Sequence, residues 1–133
     1  MIITYKKDTN TQLSTHFNSS EFTCPCQDCK ITLIDKDLVS HLEAMRTLLG
    51  SKLHITSGYR CQGYQDQLTL RGYETAKNSQ HVLGRAADIT DGVTPGMELE
   101  DMARRAGFES VGVGKAWVHV DLRPGYRRWV YKT

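Results

Sequence analysis

Ser79-Gln80-His81-Val82-Leu83-Gly84-Arg85-Ala86-Ala87-Asp88 and, further on, Trp117-Val118-His119-Val120-Asp121 are the stretches whose reading decides this chain. Gly84 and the small Ala86 and Ala87 allow a tight turn after His81 into an extended run, Arg85 to Thr90. Asp88 then projects from a strand beside the histidine. Val118-His119-Val120-Asp121-Leu122 alternates apolar and polar residues, the period of a half-buried strand, so His119 and Asp121 share one face.

Two imidazoles and a carboxylate on rigid mounts form a donor set for catalytic zinc. Hydrolytic zinc sites take three nitrogen or oxygen ligands and keep a fourth position for water, whose pKa the metal lowers to about 7. His81, Asp88 and His119 fill those three places. His16, His41 and His54 have no comparable context and read as structural, His41 within an amphipathic helical pattern and His54 within a short strand.

Working outward, Ser57-Gly58-Tyr59-Arg60, the Ser79-Gln80-His81 segment with Gly84, Ala86 and Asp88, then Gly112-Val113-Gly114 and Trp117 to Asp121 together resemble the D-alanyl-D-alanine carboxypeptidase family of zinc peptidases. The likeness covers about two thirds of the chain and is strongest to small bacterial and phage murein peptidases. It implies an α+β fold of the hedgehog/DD-peptidase type, in which a small antiparallel sheet carries one catalytic zinc and helices cover it. It also implies that His81, Asp88 and His119 are the ligands, and that Arg60 and Ser79 meet the substrate. A guanidinium suits that role because it is always charged and grips a carboxylate or an oxyanion through paired donors.

One position departs from the family. An acidic general base often stands three residues before the last histidine, and here that residue is Ala116. Asp121 is the nearest catalytic candidate, as a base or as a carboxylate that orients His119. Glu109 and Asp91 are further candidates by proximity alone. The expected activity is hydrolysis of a peptidoglycan stem peptide or cross-link, of D-Ala-D-Ala carboxypeptidase or endolysin-like endopeptidase type. The rival is a non-catalytic zinc-containing binding or structural module on the same fold.

Cys24-Pro25-Cys26-Gln27-Asp28-Cys29 places three thiols in six residues, and Cys61 directly follows Arg60. Four cysteines can form a structural zinc site or two disulfides, or stay free, and the spacing alone leaves all three open. Either linked form would staple a Cys-containing N-terminal arm, about residues 1–34, to the rest of a single domain, 1–133.

With 133 residues and 39% hydrophobic side chains, the chain can bury a core without disulfides. A net charge of +2 is too small to imply nucleic acid. No apolar run suggests a membrane span, and Met1 to Lys7 lacks the apolar region of a secretory signal. The expectation is a monomer made in the cytoplasm that reaches the wall on phage release or as a virion component. Arg123, Arg127, Arg128 and Lys132 form a basic tail that suits either anionic wall polymers or a solvated edge strand.

Asp35 caps a predicted helix whose apolar residues Leu38, Val39, Leu42, Met45, Leu48 and Leu49 lie on one face, ending at Gly50. Leu53 to Thr56 reads as a strand, Gln62 to Leu70 as a short helix and Arg71 to Gln80 as a loop. Thr94-Pro95 starts a helix with Pro at its first position, lined by Leu99, Met102 and Ala103 and ended by Gly107. Phe108 to Gly114, Trp117 to Leu122 and Arg128 to Tyr131 read as strands, the first two antiparallel around Lys115-Ala116. Trp117 and Trp129 read as packing residues rather than sugar platforms.

Overall fold

The chain runs β1 (Ile2–Lys6), β2 (Ile31–Asp35), α1 (Lys36–Leu49), β3 (His54–Ser57), α2 (Gln62–Leu70), β4 (Ala86–Thr90), α3 (Gly96–Arg105), β5 (Ser110–Val113), β6 (Val118–Asp121) and β7 (Arg127–Val130) in a computed structural model that describes residues 1–73 and 78–132. Short 3-10 turns cover Ser19–Phe22 and Gln80–Leu83. The expected loop from Arg71 to Gln80 falls partly outside the described residues, and its last residue already belongs to the second of these turns.

β1 and β2 pair antiparallel in a sheet of their own, and the other five strands lie in the order β3-β4-β6-β5-β7. β5 and β6 form the expected antiparallel pair. The sheet as a whole is mixed rather than purely antiparallel, because β7 runs parallel to β5. Both edges of β6 are already taken, by β4 and β5, so the chain leaving β6 passes the end of β5 and adds to its free edge.

The register matters most. Ser57, Asp88, His119, Gly112 and Trp129 are successive partners across all five strands, so they form one row on one face. The alternate residues Ala87, Ile89, Val111, Val113, Val118 and Val120 are buried on the other face with Leu38, Leu42 and Met45 of α1 and Leu99 and Ala103 of α3. Each large apolar side chain so buried contributes about 1.5–3 kcal/mol. Helices α1 and α3 thus cover one face of the sheet and leave the other for chemistry.

Helix α1 follows its sequence pattern, with the Asp35 side chain accepting from Asp37 N at 2.9 Å and Gly50 in the left-handed region at φ 74°. Leu48, expected on the buried face, is exposed and Leu49 is half-buried, because the last turn runs past the edge of the core. In α3, Pro95 is the cap rather than the first helical residue. The Gly96 N–H is bonded to Lys115 O in the β5–β6 turn, which sets where the helix begins.

Strands β1 and β2 were not legible in the sequence, where residues 1–34 read as an arm. The segment instead supplies Phe17, Phe22 and Ile34 to the core, and Glu43 of α1 ties it down through Ser14 and His16. The end of β2 supports the turn after His81: Asp35 N donates to Gly84 O at 2.8 Å. Gly84 has φ 75°, and a Cβ there would lie 2.4 Å from Leu33 O, so only glycine lets this turn sit on β2. No helix among the described residues is long and apolar enough to cross a membrane.

Candidate metal centre

Ser79 Oγ accepts from His81 N at 3.2 Å and so caps the 3-10 turn that delivers the first imidazole. His81 Nδ1 lies 2.7 Å from Gly58 O. A carbonyl can only accept, so Nδ1 carries the proton and Nε2 turns its lone pair toward Asp88, 3.2 Å from Oδ1. His119 is held in the opposite sense. Its Nε2 lies 2.8 Å from Asp121 Oδ2, leaving Nδ1 3.0 Å from the same Asp88 oxygen.

One donor atom from each of His81, Asp88 and His119 therefore lies within 4.8 Å of the others. The sheet register does half of this work, since Asp88 and His119 are direct cross-strand partners. Two imidazole nitrogens and a carboxylate oxygen are the donor types of catalytic zinc, and each imidazole has its outer nitrogen engaged by an acceptor, so the residues fit such an ion. Burial holds the His81 imidazole below its ordinary pKa. Burial also disfavours charge on Asp88 and His119, but their contacts outweigh it. His81 and His119 hold the Asp88 carboxyl well below the usual range, and Asp121 with Asp88 holds His119 above its own.

Arg60 leaves the end of β3 and makes three bonds: Nε to Ser57 Oγ at 2.9 Å, one terminal nitrogen to Gln65 Oε1 at 3.3 Å and the other to Asp88 Oδ2 at 3.1 Å. It is a partly buried partner of the Asp88 carboxylate rather than a surface ion pair. A cavity of about 1030 Å³ opens over these groups, lined by Arg60, Ser79, His81, Asp88, Trp117 and His119 among others. That volume is enough for a small peptide. Trp117 stacks on Tyr131 with ring centroids 4.7 Å apart, and Trp129 leans on His119 at 5.3 Å, so both tryptophans pack as expected and also wall the cavity.

Asp121 lines the same cavity, but its acceptor positions are engaged. Oδ2 takes His119 Nε2 and an Arg123 terminal nitrogen at 3.0 Å, and Oδ1 takes Arg123 N and Nε, each at 3.0 Å. Burial pushes its carboxyl up, yet His119 and Arg123 pull it well below the usual range. Asp91 is spent on the turn before α3 and Glu109 on Gly125 N, and neither lines the cavity. His41 packs on Phe108 and His16 on Glu43, and neither lines the cavity.

Three contributors had no sequence signal or a misread one. Gly58 acts through a backbone carbonyl, which no side-chain pattern records. Gln65 reaches back from α2 to Arg60, visible only once that helix is folded. Arg123 was grouped with the basic tail, whereas its position two residues after Asp121 was the available clue. The rest of that tail divides: Arg128 pairs with Glu100 at 2.8 Å on the edge strand, and Lys132 lines the cavity.

The four cysteines also meet. Their sulfurs lie within 4.8 Å of one another and no disulfide joins them. The Cys29 backbone N–H holds the Cys26 thiol down to about 6, and burial pushes Cys24 up to about 12.

A family model described as Peptidase M15 matches residues 15–121, a span that takes in both clusters. No curated protein matches the chain.

Proposed function

The chain belongs to the M15 family of zinc peptidases, and on that premise we propose that the cavity over His81, Asp88 and His119 hydrolyses peptide bonds of bacterial peptidoglycan. The observation that carries this reading is the convergence of three donor atoms at the floor of an open cavity, with an arginine bonded to one of the ligands. When bound, zinc supplies Lewis acidity and a lowered pKa for water at neutral pH.

The chain's own side chains account for the rest. Gly58 O and Asp121 each engage the outer nitrogen of one imidazole, so the other nitrogen of each ring is aimed inward, that of His119 becoming bare once its extra proton is lost. Arg60 has five N–H donors, of which Ser57, Gln65 and Asp88 take three, leaving two for a substrate oxygen that becomes negative as the carbonyl is attacked. Ser79 keeps the His81 turn in place at the cavity wall, where its hydroxyl borders the substrate space. Stem peptides carry several carboxylates, and among the described lining residues Arg60, Arg71, Arg123 and Lys132 face two acids that are both already engaged. That balance favours an anionic peptide.

Asp121 serves in this scheme as the group that positions His119. The same observation supports a second reading. With Ala116 at the family's acidic position, the described cavity residues hold no carboxylate that is free to take a proton from water, as a zinc-containing binding module would have it. Mass spectrometry of purified murein after incubation with the zinc-loaded protein separates the two. New stem-peptide fragments that are absent with His119→Ala establish the peptidase and name the bond, as a terminal D-alanine, a stem-peptide bond or a cross-link. Intact murein, with zinc bound and murein retained by the protein, overturns hydrolysis in favour of binding.

A further inference from the structure

The four cysteines are not used by this chemistry, yet they hold a wall of the cavity. Cys24, Cys26 and Cys29 lie in the loop after Phe22, and Cys61 caps the start of α2 directly after Arg60. Among the described residues, no backbone-to-backbone hydrogen bond involves positions 23–29. What orders the loop is its sulfurs, together with Lys7, whose ammonium donates to the Cys26 carbonyl. Pro25 of this loop lines the cavity.

The sulfur positions distinguish the ways in which four cysteines can associate. Cys24 and Cys61 are 3.7 Å apart, Cys26 and Cys61 3.5 Å, and Cys26 and Cys29 3.3 Å. A tetrahedral zinc with bonds of about 2.3 Å places its sulfurs about 3.8 Å apart. The cysteines also do not divide into two private pairs, because Cys26 and Cys61 each approach two others. A disulfide needs one exclusive partner, whereas a shared ion requires the mutual arrangement seen.

The surroundings suit four thiolates. Cys29 N donates to Cys26 Sγ and Tyr64 N to Cys61 Sγ, both at 3.4 Å. Lys7 Nζ lies 3.2 Å from Cys29 Sγ and 3.9 Å from Cys26 Sγ. Four thiolates around a divalent ion leave two negative charges, and this ammonium with the two N–H donors partly offsets them.

We propose that Cys24, Cys26, Cys29 and Cys61 bind a second, structural zinc ion that fastens the 24–29 loop to the segment carrying Arg60. Binding releases to solvent whatever protons the four sulfurs still carry, Cys26 holding its proton least, and changes no oxidation state. The ion has all four positions filled by protein, so it takes no part in hydrolysis. Its effect on the active site is mechanical. Cys61 adjoins Arg60, and Tyr59 N bonds to Phe22 O at 2.8 Å, so the staple holds the backbone from which Arg60 reaches Asp88 and Gly58 O reaches His81.

The test is elemental analysis of the full chain, purified under reducing conditions and loaded with zinc, followed by titration with a thiol-specific mercurial. Two zinc ions per chain are expected, one of them released as four thiols are titrated and the other retained. His81→Ala should keep only the mercurial-released ion, and its cobalt-substituted form should show the strong sulfur-to-metal charge-transfer absorption of thiolate ligation. Cys26→Ser with Cys29→Ser should keep only the resistant ion. A single zinc that the mercurial cannot release, iron in the thiol site, or two disulfides in the reduced-purified protein would overturn the proposal. The retained ion reports the His81 centre and the released ion the cysteines, so either assignment can fail without the other, and the wild-type titration holds even if the serine variants do not fold.

Discussion

His119 and Asp88 face each other across adjacent strands, whereas three of the four cysteines sit in a loop with no backbone-to-backbone hydrogen bonds among the described residues. The first cluster is placed by sheet register and by partners outside the three donor residues, namely Gly58 O, Asp121 and Arg60. The second is placed by little besides its own sulfurs, two N–H donors and Lys7. A centre built on a sheet keeps its geometry without an ion and can leave a position open for chemistry. A centre built on a loop lends the loop its order, and losing the ion should cost fold rather than turnover alone.

Removing a ligand from the sheet centre should therefore affect activity most and stability least. His119→Ala is expected to lower murein hydrolysis by roughly a thousandfold or more. Its thermal midpoint should stay within about 5 °C of the wild type, since the lost bonds are local. Parallel turnover and melting measurements check this, and a collapse in both would erase the contrast between the two clusters.

The converse variant, Cys26→Ser with Cys29→Ser, should lower the midpoint by on the order of 10 °C and reduce turnover only as far as Arg60 is displaced. Calorimetry beside kinetics reads it. An unchanged midpoint would show that the loop has another source of order.

A smaller effect is expected from Asp121→Asn, which removes the charge beside His119 and part of the Arg123 clamp. Zinc affinity or turnover should fall about 10- to 100-fold, the usual cost of losing an outer partner of a ligating histidine. Competition with a chromogenic chelator measures the affinity, and no change would mean that the strand alone orients His119.

The smallest effect concerns pH. In the zinc-free protein, burial disfavours a charged His119, but Asp121 and Asp88 more than reverse this and raise its pKa. The stability which that proton contributes is fully present below about 6.5, the ordinary value, and fades as pH rises through the elevated folded value. Zinc needs the bare nitrogen and binds more tightly over the same rise. Chelated and loaded samples should thus diverge by a few degrees in midpoint between neutral and mildly alkaline pH. Parallel curves would mean that His119 gives up no proton to the metal.

Much of this was legible before folding, for reasons particular to each element. The stripe of α1 with its Asp35 cap and the alternation around His119 appear as local periodicity, because the apolar side of each meets the core, although β6 is buried on both faces rather than half-buried, and α2 buries only Gln65. β1 and β2 were hidden because β2 buries the polar Thr32 beside Ile34 and shows no clean alternation.

From sequence alone came the identity of the three candidate ligands, the turn at Gly84, the candidate arginine, the absence of an acid at Ala116 and the presence of four thiols. Those are matters of residue type and short spacing, which a linear chain records directly. Tertiary structure decided that Asp88 and His119 share a register, that Gly58 O and Arg123 complete the centre, that β7 runs parallel to β5, and that Cys24 meets Cys61 from 37 residues away. These depend on how separate elements dock, and docking is set by long-range packing and by backbone groups that every residue carries alike, so it leaves no local pattern to read.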